Sequence, residues 1–201
     1  MVRSWTRVLL EATLCVGVLL SSCSLGVAVL LSSLDPMDQS STPSPFEDEN
    51  LEAAVAAALG VTVSELAPEH LLELTELDAQ GYEIESIEGI EHCRHLRELI
   101  FSWYYPNRNK ITDLTPLAGL TLLTELDLSE NRITDLAPLA GLTQLTELDL
   151  WRNEISDITP LAGLTQLTQL DVSWNPLDLS EGSAAMDVIR TLEDRGVAVS
   201  Y

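Results

Sequence analysis

The chain has 201 residues, of which 46% are hydrophobic, and its 32 acidic side chains against 10 basic ones leave a formal net charge of -22. This length and apolar content suit one ordinary domain with a tail. The negative charge would repel a phosphate backbone, so we expect no nucleic-acid partner. The three cysteines are too few for a disulfide framework, so a hydrophobic core must hold the fold together.

The amino-terminal segment, residues 1–34, carries the features of an export signal. Arg3 and Arg7 precede an uncharged, mostly apolar run from Ala12 to Leu34, which as a helix would span about 34 Å and cross the hydrocarbon core of a bilayer. By the positive-inside rule, the amino terminus stays in the cytoplasm and the remaining chain is exported. We therefore expect a domain that is anchored to a membrane and lies outside the cytoplasm.

Three forms of this segment are compatible with the sequence. An ordinary signal peptide has an apolar region of about 7–15 residues, so the longer run here favours an uncleaved signal anchor. The tetrapeptide LSSC that ends at Cys23 resembles a bacterial lipobox, which implies cleavage before Cys23 and lipidation of its side chain. The residues after Cys23 stay apolar, unlike those of most lipoproteins. Ordinary cleavage is the third form, and all three export the domain.

Two short segments follow the apolar run. Residues 35–46 (DPMDQSSTPSPF) are rich in Pro, Ser and Asp and show no periodicity, which is typical of an exposed linker. Residues 47–73 begin with a helical pattern, in which Leu51, Val55 and Leu59 share one apolar face. The linker is therefore expected to hold the folded part of the chain off the membrane.

The chain then becomes an internal repeat with a period of 22 residues. Three segments superpose: LTLLTELDLSENRITDLAPLAG from Leu120, LTQLTELDLWRNEISDITPLAG from Leu142 and LTQLTQLDVSWNPLDLS from Leu164. The preceding turn carries five additional residues within Ser102–Asn109, and a looser turn comes before it. About five turns therefore occupy residues 74–180.

Each turn combines two periodicities. Leu126 and Leu128 alternate with Glu125 and Asp127, and this period of two predicts a short strand with one buried face. The apolar residues that follow recur every three positions, which suits a 3₁₀ or irregular segment, and a proline in the same segment prevents a longer helix. Each turn therefore buries one row of leucines, and only stacking of the turns closes the core.

An asparagine recurs where the strand of each turn must bend. Its side-chain amide can satisfy backbone groups that the bend leaves unpaired. We therefore predict a structural asparagine ladder rather than a binding site. The ladder comprises Asn109, Asn131, Asn153 and Asn175.

The pattern LxxLxLxxNxIxDLxPLxxL resembles the leucine-rich repeats of bacterial internalin-like proteins, and the resemblance covers residues 74–179. It implies an α/β solenoid with short parallel strands on the concave face, a 3₁₀ or irregular convex side and helical caps at both ends. Residues 47–73 look like the amino-terminal cap. We expect residues 181–201 to form a carboxy-terminal cap of one helix and one strand, with Ser180 as the residue that caps the helix. Internalins are known for binding host proteins on the concave sheet, which implies recognition here.

The outward-facing strand residues of such a solenoid line its inner curve in two rows. Adjacent strands lie about 4.8 Å apart, and at that distance two carboxylates repel by about 0.9 kcal/mol in water. A cation or a basic partner would relieve this repulsion. In the competing interpretation, the acids only keep the sheet soluble and unpaired. The first row is Glu76, Glu98, Glu125, Glu147 and Gln169, and the second is Asp78, Ile100, Asp127, Asp149 and Asp171.

Aromatic residues interrupt the repeat near one rim of the predicted sheet. Such side chains bury a large area at low entropic cost and are enriched in binding hot spots. We predict that they anchor a protein or glycan ligand, with Arg152 and the acid rows setting specificity. The alternative is that Trp151 and Trp174 stack on each other or on Arg152 to cover the sheet. The candidate ligand-binding residues are Trp103, Tyr104, Tyr105, Trp151, Arg152, Trp174, Glu125, Asp127, Glu147, Asp149 and Asp171.

No catalytic chemistry is visible in the sequence. Cys93 lies between His92 and His95, but the repeat register places Cys93 at a core position and both histidines on the outer connection. The sequence contains no glycine-rich phosphate loop, nucleophile elbow or HExxH zinc motif. We therefore expect no catalytic residue, no metal and no cofactor. The alternative to recognition is an envelope structural or self-associating domain without a specific ligand.

Overall fold

The computed structural model describes residues 44–102 and 107–201. These residues form two α-helices, α1 (Glu49–Leu59) and α2 (Ala184–Asp194), and six strands. Among them, no helix has the length and apolar character needed to cross a bilayer. The predicted export segment with Cys23, and most of the linker, lie outside the described residues. The strands are β1 (Glu76–Asp78), β2 (Glu98–Ile100), β3 (Glu125–Asp127), β4 (Glu147–Asp149), β5 (Gln169–Asp171) and β6 (Ala198–Ser200).

The strands form one parallel sheet in chain order, β1-β2-β3-β4-β5-β6. In β1 to β5 the middle residue is a buried leucine and its two neighbours face outward. Residues one repeat apart pair directly, so that Glu125 lies opposite Glu147 and Asp127 opposite Asp149. The predicted α/β solenoid of leucine-rich repeats is confirmed, with its parallel strands and its helical caps.

The opposite side of the solenoid is built from short 3₁₀ helices. Thr115–Leu117, Ala137–Gly141 and Thr159–Gly163 each have a proline at their first or second position, where the missing N–H removes no helical hydrogen bond. An aspartate two residues before each helix accepts its first backbone N–H at 2.8 Å. Leucine and isoleucine side chains between this side and the sheet merge into one continuous core, as stacking requires.

Asparagine side chains join successive turns. Asn153 Oδ1 accepts the backbone N–H of Ile133, in the preceding turn, at 3.1 Å. Asn153 Nδ2 donates to the carbonyl oxygens of Leu128 and Leu150 at 2.9 and 3.1 Å. The amide therefore replaces backbone hydrogen bonds that the bend interrupts, both within its own turn and across to its neighbour. Equivalent bonds are made by Asn109, Asn131 and Asn175.

Asp48 ties the amino-terminal helix to the first turn. Its Oδ1 accepts the N–H of Asn50 at the start of α1, and its Oδ2 accepts the N–H of Glu85, both at 2.8 Å. Burial opposes the ionisation of Asp48, but its backbone donors outweigh burial and hold the pKa below its usual value. Gly89 completes this junction, because a Cβ there would lie 2.5 Å from the Pro45 carbonyl oxygen.

The carboxy-terminal helix begins later than the sequence predicted. Ser183, not Ser180, caps α2, and its Oγ accepts the N–H of Met186 at 3.2 Å. The reason is Gly182, whose φ of 82° lets the chain turn between Ser180 and the helix, while the Ser180 N–H bonds to Asp178. The helix then buries Ala185, Val188, Ile189 and Leu192.

Replacing Asn153 by alanine should lower the free energy of unfolding by about 2–3 kcal/mol, because the N–H of Ile133 and the carbonyl of Leu128 lose their buried partner. Asn175→Ala should cost less, since Asn175 is only partly buried. Urea unfolding of the two variants measures the difference. A loss below about 0.5 kcal/mol for Asn153→Ala would mean that the ladder does not stabilise the stack.

Candidate recognition surface

Two rows of side chains line a depression of about 380 Å³ on the open face of the sheet. The strand register places members of each row side by side, as in the pairs Glu98 with Glu125 and Glu125 with Glu147. Strand β6 extends the rows with Ala198 and Ser200. Neither row contains a lysine or an arginine, so no base within the rows balances their negative charge.

The first row, here called the glutamate row, consists of Glu76, Glu98, Glu125, Glu147 and Gln169. Its members are exposed, apart from the half-buried Glu98. Partial burial and repulsion from Glu98, Glu147 and Glu76 raise the pKa of Glu125. Gln169 Nε2 donates to Glu147 Oε1 at 2.9 Å. The row is therefore a line of mutually repelling carboxylates that a positive group would stabilise.

The second row, here called the aspartate row, has a structural role that was not predicted from the sequence. It consists of Asp78, Asp127, Asp149 and Asp171, and Ile100 interrupts it. Each aspartate ends its strand by accepting the backbone N–H two residues ahead, at 2.8–3.1 Å. Such Asx turns compete with the sheet hydrogen bonds and stop the strand. The signal was present in the sequence, since an aspartate recurs at the last position of these strands.

Asp149 lies in the middle of the aspartate row and ionises with difficulty. Burial raises the pKa of its carboxyl to about 6, and repulsion from Asp127 and Asp171 acts in the same direction. The hydrogen bond from the Trp151 N–H lowers the pKa but does not outweigh burial. The negative charge of this face therefore decreases as the pH falls through about 6.

The two tryptophans near the rim occupy different positions of the repeat. Trp151 stands where neighbouring turns have Ser129 and Ser173, and it is half-buried, with Arg152 Cζ 5.9 Å from its ring centroid. Trp174 is one position further along its own turn and is 78% exposed. The other three candidate aromatic residues, Trp103, Tyr104 and Tyr105, lie outside the described residues.

Glu130 is a site residue that the sequence analysis did not identify. Its side chain is 1% exposed, with Oε2 2.7 Å from Arg108 Nη2 and Oε1 3.0 Å from Arg152 Nη1. Two guanidinium groups thereby compensate one buried carboxylate. The sequence does indicate these ion pairs, because the residue before the ladder asparagine is Arg108, Glu130 and Arg152 in three successive turns and so alternates in charge. We call Arg108, Glu130, Trp151, Arg152 and Trp174 the rim cluster.

The surroundings of Cys93 do not resemble a reactive site. The side chain is fully buried, and burial together with Glu91 raises the pKa of the thiol to about 12, so it stays neutral. His95 Nδ1 lies 2.6 Å from the Leu72 carbonyl oxygen, and His92 is exposed. Across the two described stretches, no group of three or more His, Cys, Asp or Glu side chains is arranged to hold a metal ion.

Known proteins share both the repeat and the fold. A family model for leucine-rich repeats matches residues 107–141, 121–163 and 143–181. The structure is similar to an internalin, InlF, from Listeria monocytogenes, with 34% identity and a TM-score of 0.65 over 81% of this chain and 46% of that one. It is also similar to the functional domain of InlJ from the same organism, with 26% identity and a TM-score of 0.51 over 69% of this chain and 39% of that one. The chain thus spans less than half the length of either internalin. No curated protein matches it.

Replacing Asp149 by asparagine keeps an oxygen acceptor for the Trp151 N–H and removes the charge. The pKa of Asp149 is higher in the folded protein than its ordinary value of 3.8, so ionisation destabilises the fold above about pH 6 and has no effect below about pH 4. Asp149→Asn should therefore raise the free energy of unfolding by about 1 kcal/mol at neutral pH, after solvent screening, and by nothing at pH values below about 4.

Urea unfolding at the two pH values measures this difference. Glu154→Gln, at an exposed acid outside the rows, serves as the control and should change stability little at either pH. Equal stabilisation by Asp149→Asn at both pH values would contradict the assignment.

Proposed function

Because this chain is an internalin-like leucine-rich repeat protein, we propose that it is a non-catalytic recognition module that binds a protein partner through its concave face. The module is exported and membrane-associated, and the partner presents basic side chains. The observation that carries this proposal is the difference between the two acid rows on that face.

The glutamate row has no structural role comparable to that of the aspartate row. The aspartates are engaged by backbone N–H groups at the strand ends. Among the described residues, the side-chain hydrogen bond of the glutamate row is the one from Gln169 to Glu147. Aligned carboxylates that do not support the fold remain available to lysine or arginine side chains, and such pairs would relieve their mutual repulsion.

The rim cluster supports a protein partner rather than a neutral glycan. Trp174 offers a large exposed apolar surface, and tryptophan and arginine are the side chains most enriched in protein-binding hot spots. A charged row beside an aromatic rim complements a protein surface that carries basic and apolar side chains. We keep three further aromatic residues in the proposed site because they lie close to Arg108 in the sequence: Trp103, Tyr104 and Tyr105.

A second function is favoured by a specific observation. Aspartate recurs at the last strand position because its side chain ends the strand, and the middle turns are nearly identical in sequence. Repetition of this kind offers few distinct contacts and suits an envelope structural domain that associates with itself. Such a domain would form oligomers that increase with concentration and would bind no peptide on its concave face.

Exchanging Glu125 and Glu147 for glutamine should weaken the binding of a fluorescent lysine-rich peptide about tenfold, because each lost ion pair contributes about 0.7 kcal/mol. Fluorescence anisotropy with the full chain in detergent measures the affinity. The matched control is Glu181→Gln with Glu193→Gln, which removes the same charge from exposed positions at the carboxy-terminal cap.

The control variant should bind the peptide as the wild type does. Equal weakening by both double variants would mean that only the net charge of the chain attracts the peptide. Unchanged binding in the Glu125 and Glu147 variant would refute the concave site. If the chain forms concentration-dependent oligomers in light scattering and binds no peptide, the structural function replaces the proposed one.

The proposed membrane association is tested at the amino terminus. Mass spectrometry of the chain purified from membranes should show an intact segment that includes Arg3, as expected for an uncleaved signal anchor. A diacylated Cys23 at the amino terminus would overturn the anchor and identify a lipoprotein instead. A chain that begins beyond the apolar run without lipid would identify ordinary cleavage and remove the membrane attachment.

A further inference from the structure

The residue before three of the four ladder asparagines, Asn131, Asn153 and Asn175, adopts a left-handed backbone conformation. In the first turn the equivalent position is Gly81, with φ 71°, whereas Glu130, Arg152 and Trp174 occupy it in later turns with φ 56°, 55° and 58°. A left-handed backbone at a residue with a Cβ costs of order 1 kcal/mol. Three turns therefore keep a side chain where backbone strain alone would favour glycine.

Glu130 and Trp151 hold the Arg152 side chain in a defined position. The buried Glu130 carboxylate lies 3.0 Å from Arg152 Nη1, and the guanidinium stands 5.9 Å from the centre of the Trp151 ring. Half of the Arg152 side chain is nevertheless exposed, at 50%. A guanidinium carries five N–H donors in one plane, so a single contact with Glu130 leaves donors for a further acceptor that approaches from solvent.

The rim cluster differs in charge from the rows beside it. It contains two arginines against one glutamate, in a chain whose formal net charge is -22. Arg152 follows Glu147 of the glutamate row by five residues, so their Cα atoms lie at most about 18 Å apart. A negative surface and a locally positive, aromatic surface are therefore close enough for one short segment of a partner to contact both.

We propose that Arg152 and Trp174 bind a carboxylate side chain, and an apolar side chain next to it, on the same protein partner whose basic side chains lie on the glutamate row. This inference rests on the proposed function. A planar guanidinium fixed on two sides matches a carboxylate through paired hydrogen bonds. Doubling the ligand charge, as in a phosphate group, doubles its repulsion from the acid rows as well as its attraction to Arg152, and Glu130 already compensates part of the Arg152 charge, which favours the singly charged carboxylate.

The test compares three synthetic peptides that bind to the full chain in detergent. The first has a block of lysines, a four-residue Gly-Ser spacer and a Leu-Glu-Glu end. The second ends in Leu-Gln-Gln, and the third keeps the Leu-Glu-Glu end but has glutamines in place of the lysines. In the wild type, the first peptide should bind about three- to fivefold more tightly than the second.

Two test variants and one control show which residues produce the gain in affinity that the Leu-Glu-Glu end provides. Arg152→Gln should abolish it while leaving the affinity for the second peptide unchanged, and Arg190→Gln, at an exposed residue of α2, should preserve it. Trp174→Gly removes the proposed apolar contact at a backbone position that suits glycine. It should therefore reduce the affinity for the first peptide without lowering the melting temperature.

The outcomes separate this inference from the proposed function. If the second peptide binds and the Glu end adds nothing, or if Arg152→Gln keeps that gain in affinity, the rim assignment is wrong and the glutamate row stands. If neither lysine peptide binds, the proposed function fails, and the third peptide then tests the rim assignment by itself. Binding of the third peptide that Arg152→Gln abolishes would support the rim assignment, and no binding of that peptide would overturn it. Preference for a phosphoserine end over the Glu end would also overturn the carboxylate assignment.

Discussion

No single turn of this protein can bury its own row of leucines, and the rest of the structure depends on that constraint. Stacking is the only way to close the core, so each strand pairs in register with the same residues of the next turn. The asparagine amides make this stacking specific, because their hydrogen bonds reach the preceding turn as well as their own. Helices α1 and α2 then cover apolar surface at the two ends.

The same register that builds the core creates the electrostatics of the concave face. Identical residues one repeat apart must lie side by side, so an outward glutamate in one turn faces a glutamate in the next. In the aspartate row, backbone N–H groups at the strand ends offset part of this cost. Within the described part of the chain, no backbone N–H group offsets the charge of the glutamate row in this way, and this asymmetry is the reason that we propose this row as the contact surface for a basic partner.

Much of this fold could be predicted, because the same residue pattern in each turn produces the same local structure. The strand register, the buried leucines and the positions of the asparagines all follow from one period and two apolar spacings. The start of α2 could not be predicted in this way, since two serines offer the same capping chemistry and the backbone at Gly182 decides between them.

The candidate site was harder to predict from the sequence, because a repeat pattern does not predict the contacts of residues that depart from it. Its most informative residues are departures from the repeat, and their contacts lie between turns. The ion pairs of Glu130 join residues of three different turns. Trp151 and Trp174 each follow a strand by two or three residues, and they differ in exposure because they occupy different repeat positions. A crystal structure of the chain bound to a lysine-rich peptide would show which surface binds basic side chains. We expect lysine ammonium groups within about 4 Å of the Glu125 and Glu147 carboxylates, whereas a peptide bound on the 3₁₀ side or on either cap would refute the concave site.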